Sequence, residues 1–167
     1  MDDAEATWQS WLSGLAPQTR ATAESLRTQF EALGAPDAPE WARSEIADDQ
    51  PQLARFVLLR SLWRGAIDGW ADQGALEQVP AARRLLDAGA DRDDLVLLAR
   101  TVAYEAVFTA VDELDAGADV NVSGVDAGWV VMESGEDGSP TGRRLSGLHE
   151  DLLTADPSGR DGADLWR

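Results

Sequence analysis

The sequence has no cysteine, no lysine and a single histidine in 167 residues. Without cysteine there is no disulfide, no thiolate chemistry and no Cys-ligated metal. Without lysine there is no Schiff base and no phosphate-loop ammonium. All 14 basic residues are arginine, in keeping with the coding bias of a GC-rich bacterial genome. A lone histidine, His149, excludes metal sites built from several imidazoles and the paired Glu-x-x-His ligands of a di-iron bundle. Long apolar runs are missing too. The richest stretch, 95–111, is interrupted by Arg100 and Glu105 and falls short of a membrane span. The opening MDDAEATWQSW is acidic and lacks the basic flank of a secretory signal. A cytoplasmic protein that neither enters a membrane nor carries a cofactor or metal is expected.

Positive charge is scarce. The net charge is −17, which speaks against nucleic acid as a partner, because phosphate binding needs a basic surface. The charge is unevenly distributed. Residues 1–50 hold 10 acids against 3 arginines, residues 51–111 hold 8 against 7, and residues 112–167 hold 13 against 4. The centre is nearly neutral between two acidic ends. An acidic surface of this kind solubilises a protein and also suits a basic partner.

Apolar residues make up 44% of the chain, enough for a hydrophobic core. Trp8, Trp11, Leu12 and Leu15 fall at helical spacing until Gly14 and Pro17 interrupt them. A second helix is expected over 19–33, stopped by Gly34, and a third after Asp37 and Pro39, anchored by Trp41 and Ile46. Residues 51–73 carry a broad stripe, with Leu53, Phe56, Arg60, Trp63, Ile67 and Trp70 at spacings of three and four, and read as one central helix. Pro80 opens a short helix, and 92–116 reads as a second central helix with a smooth alanine- and valine-rich face for close packing.

The phrase LDAGAD occurs at 86–91 and again at 114–119. Each copy resembles the helix end of an ankyrin repeat over about ten residues. The resemblance stops there: Thr-Pro-Leu-His is absent, the copies lie 28 positions apart, not about 33, and one uninterrupted helix fills the interval. Both copies read instead as helix stops, with Gly89 and Gly117 in the left-handed conformation and Asp91 capping the next helix.

Beyond these helices the period changes. Residues 128–134 and 142–147 read as a β-hairpin, 148–155 as a short helix and 156–167 as a polar tail. The expected fold is therefore mainly α, a compact bundle of about six helices with a small C-terminal hairpin, α+β at the margin. It forms a single domain over 1–167, with a helical body over 1–127.

Few residues carry chemistry on their face. Glu105, inside TVAYEAVFTAV, calls for a cationic partner if it is buried. Arg60 or Arg64 on the other central helix is the natural choice, with Tyr104 nearby. His149, between acidic neighbours, is a candidate acid/base group. No Gly-x-Ser-x-Gly elbow accompanies it, so no catalytic residue is assigned. Counted as an EF-hand from Asp156, the sixth position is Asp161 where Gly is needed and the twelfth is Arg167 where Glu is needed, so 156–167 is no calcium loop. Seven tryptophans are many to bury, and Trp11, Trp129 and Trp166 are candidate interface residues. The leading expectation is a protein-interaction or regulatory module, of immunity type for example, offering its acidic surface to a basic protein partner. The alternatives are an enzyme or small-ligand binder with a polar pocket around Glu105 and Arg60, and a structural homo-oligomer subunit.

Overall fold

The computed structural model describes residues 3–119, 121, 124 and 126–166. It contains six α-helices and a two-stranded antiparallel hairpin, a mainly α fold. The helices are α1 (Asp3–Ser13), α2 (Pro17–Leu33), α3 (Ala38–Asp48), α4 (Gln52–Leu62), α5 (Pro80–Asp87) and α6 (Arg92–Ala116). The strands are β1 (Val131–Ser134) and β2 (Pro140–Leu145). The chain divides into two compact units, Met1–Val57 with Met132–Leu145, and Leu58–Val131 with Ser146–Arg167. The division falls inside α4, and the hairpin groups with the N-terminal helices, so the units do not follow a contiguous helical body over 1–127.

In the first unit α2 packs on α3. Phe30, Trp41 and Phe56 form a triangle of rings with centroids 5.3 to 5.9 Å apart. Asp37 caps α3, accepting from the Glu40 amide, and Gly34 closes α2 in the left-handed conformation. The first turn of α4 finds its partner outside its own helix. The buried carboxylate of Glu45 accepts from the Leu53 amide at 2.7 Å and so satisfies a first-turn donor of α4 from the side. Arg143 on β2 reaches Glu45 at 2.8 Å, Glu133 at 3.2 Å and the Gln50 carbonyl at 2.7 Å, which ties the hairpin to the turn between α3 and α4.

In the second unit the expected single helix over 51–73 is not continuous. α4 ends at Leu62, a π turn follows over Trp63–Ile67 and a 3-10 turn over Asp68–Ala71. Gly65 and Gly69 weaken the regular ladder there, and the wider turn still buries Trp63 and Ile67. These irregular turns are what pack on α6. The Trp63 indole N–H donates to the Leu152 carbonyl, which anchors the C-terminal segment. Asp91 caps α6 as expected, accepting from the Asp93 and Asp94 amides, and Gly117 stops it.

The short helix expected over 148–155 is a series of irregular turns, and the described part of the expected polar tail, 156–166, does not hang free. Leu148, Leu152, Ala155 and Leu165 are all buried. Asp156 is only 2% exposed and accepts from the Ser158 amide, the Ser158 hydroxyl and the Gly162 amide. Its side chain folds the loop around itself, with Gly159 and Gly162 at positive φ. Sequence polarity misleads here because the polar groups satisfy one another and leave Leu165 free to enter the core.

Candidate functional site

α6 is apolar nearly all round, a pattern normally found in helices enclosed on every side. One face is enclosed: Tyr104 and Val111 are buried. The opposite face is not. Leu98 is 61% exposed and Val102 60% exposed, and Leu85 of α5 is 49% exposed. Together with Trp70, Leu76 and Val79 these residues line a groove of about 380 Å³, floored by Ala99, Ala103 and Ala106 and almost free of polar atoms. The alanine-rich face therefore does not pack on a second central helix. It lies opposite the buried face and forms the floor of the groove, with Leu98 and Val102 as one wall. α5 forms the other wall and contributes no buried residue of its own.

The charged rim has a definite arrangement. Glu77 occupies both nearby arginines: its carboxylate binds Arg92 at 2.5 Å, and its carbonyl accepts from Arg83. The hydrogen bond to Arg92 holds the Glu77 carboxyl below its ordinary pKa and raises that of Arg92. On α6, Asp91, Asp93 and Asp94 at one end, Glu105 along the open edge, and Asp112 and Glu113 at the other end are all exposed.

The pairing of Glu105 with Arg60 or Arg64 does not form. Glu105 is exposed and makes no ion pair with either arginine among the described residues. Tyr104 takes the buried direction, and the next residue lies about 100° further round the helix, in solvent. Burial raises the Tyr104 phenol pKa and the Glu105 charge adds to the shift. The ring stands edge-on to Trp166 at 5.3 Å. Arg60 is half-buried with its pKa lowered, first by burial and then by the neighbouring charge of exposed Arg64.

Of the candidate interface tryptophans, Trp129 is 40% and Trp166 54% exposed, while Trp11 is half-buried against Trp8 at 5.0 Å. The Trp129 indole N–H donates to the Glu113 carbonyl at 2.9 Å, so this ring closes the C-terminal end of α6.

His149 has a defined anchor. Its amide donates to Asp115 Oδ2 at 3.0 Å, and its ring Nδ1 lies 2.7 Å from the same oxygen, with Asp112 at 3.6 Å. The Asp115 hydrogen bond raises the imidazole pKa against the opposing effect of burial, and the charges of Asp115, Asp112 and Glu150 add to it. This ties the C-terminal segment to the end of α6. Among the described residues no group of three or more metal-ligating side chains is gathered, and no helix is long and apolar enough to cross a membrane.

In comparison with known proteins, no family model, curated protein or solved structure matches the chain.

Sequence reasoning missed the groove because it assigned the small-residue face of α6 to the core. The available signal was the all-round apolarity of 92–116. One face of such a helix is enough to hold it to its own domain, and the second is left over.

Proposed function

We propose that the protein is an interaction module that binds a partner protein through the groove between α5 and α6. The observation that carries this reading is the exposure of Leu98 and Val102 on a helix already anchored by its other face. Neighbouring Leu85 and Val79 make these residues part of a contiguous apolar patch, and such exposed patches mark sites of association. The acidic net charge of −17 selects a basic partner and accelerates its encounter.

A photo-cross-linking residue at position 98 tests the proposal. In extract of the native host it should yield a discrete adduct that disappears when Val102→Gln is added. The same probe at exposed Thr22 of α2 should yield none. Indistinguishable adducts from the two positions would end the reading.

A further inference from the structure

We infer that the occupant of the groove is an amphipathic helix of the partner, apolar on one face and flanked by basic residues. The inference rests on the docking reading above and specifies what docks. The length and chemistry of α6 determine the assignment.

The apolar stripe from Leu95 to Ala106 covers about three turns, roughly 17 Å. Its walls are helical on both sides, with α5 opposite α6. Between them lies a channel whose floor is alanine and whose edge is Leu98 and Val102. Small floor residues let another backbone approach closely, and branched edge residues insert between its side chains. This is the geometry of helix-in-groove recognition, read by anchors at i, i+3 or i+4, and i+7. A groove almost free of polar atoms gives an extended peptide few partners for its main-chain N–H and C=O groups. A helix arrives with those groups already satisfied.

Charge decides the flanks. Residues seven apart on a helix lie within about 20° of one line. Asp91, Leu98 and Glu105 therefore share a line, as do Ala106 and Glu113. The stripe thus ends in carboxylates in both directions and carries Glu105 along its open side, all of them exposed. Glu105 has no ion pair among the described residues, and the nearby cations Arg83 and Arg92 are already held by Glu77. A second copy of this chain is a poor occupant. It would bring net charge −17 to net charge −17. With acids at both ends of α6, parallel and antiparallel pairings alike set carboxylate against carboxylate.

The test uses three labelled 16-residue synthetic peptides in fluorescence anisotropy with the full chain. The first has leucines at helical spacing and arginine flanks. The second has the same leucines and glutamate flanks. The third scrambles the first. The basic amphipathic peptide should bind at least ten-fold more tightly than either control, gain helical circular dichroism on binding, and weaken as salt is raised. Val102→Gln should abolish binding. Glu105→Gln with Glu113→Gln should weaken the basic peptide several-fold while leaving the far-ultraviolet spectrum of the protein unchanged. Equal binding of the basic and acidic peptides, still lost in Val102→Gln, would preserve the docking groove and overturn the basic helix. Equal binding of the scrambled peptide reduces the effect to general charge attraction and overturns it as well. Light scattering that shows a dimer broken by Val102→Gln assigns the groove to a second copy. If none of the peptides binds, the helix assignment fails, and the cross-link at position 98 decides separately whether the groove docks a protein.

Discussion

Arg143 shows how much a single side chain holds in this protein. Its guanidinium meets Glu45 and Glu133, and both carboxylates are largely shielded, at 9% and 18% side-chain exposure. Removing the cation leaves two acids without their partner in a site from which water is mostly excluded, and that costs more than the ion pair itself contributes. Arg143→Met should therefore destabilise by about 2 to 3 kcal/mol in urea denaturation. A loss below about 0.5 kcal/mol would mean the cluster behaves as an exposed pair. His149 gives the second prediction at this scale. Its pKa is raised in the folded state by the Asp115 hydrogen bond. A raised folded-state value stabilises fully below the unfolded value of about 6.5, and that stabilisation is lost as pH climbs through the folded value. His149→Gln should then cost stability at about pH 5.5 and cost less at about pH 8.5. A proton-NMR titration of the ring with a midpoint below the ordinary value would refute this. Neither arrangement was legible in the sequence. Arg143 is one arginine among fourteen, and Asp115 lies 34 positions from His149, a separation that only folding closes.

At the scale of the element, α6 is a helix with two apolar faces of different roles. Val111 is 2% exposed and Val102 is 60% exposed, although the residue is the same. Val111→Ala should cost about 1 to 3 kcal/mol, because a buried branched side chain is lost and its space is left partly empty. Val102→Gln should cost less than about 0.5 kcal/mol, since the position touches mainly water in the isolated protein and glutamine is a good helix former. Urea melts of the two variants side by side decide the matter, and equal losses would show the groove to be closed in solution. The helix stops belong to the same scale. Gly89 and Gly117 take the left-handed conformation that both LDAGAD copies call for, and Asp91 caps the helix between them. Local chemistry alone fixes such features, so they were readable. The break of 51–73 at Leu62 was less so, because a single π turn displaces the apolar stripe by only about one residue, too little to show in the spacing.

For the whole molecule, charge sets the terms. A chain of net charge −17 repels itself in the compact state, and added salt screens that repulsion. The melting temperature should rise by several degrees between about 20 mM and about 500 mM sodium chloride. A falling melting temperature would indicate that the ion pairs of Arg143 and Arg100 outweigh the general repulsion. Arg100 joins Asp68 and Asp164 at 2.8 and 2.7 Å, and so secures a C-terminal segment whose composition reads as a tail.

What the sequence determined by itself was the class of fold and its punctuation. Apolar residues at helical spacing, Pro, Gly and Asp at the helix ends, and the change of period near residue 128 each act through neighbours in the chain, so they can be read in order. Only the tertiary structure decided which side of α6 faces the core, where Glu105 points, and how 148–166 folds without regular hydrogen bonding. Those outcomes depend on partners distant in sequence, such as Leu152 for Trp63 and Asp164 for Arg100. The groove follows from the same cause. A helix apolar on every side holds no record of which face will be covered, and the fold of the rest of the unit makes that choice.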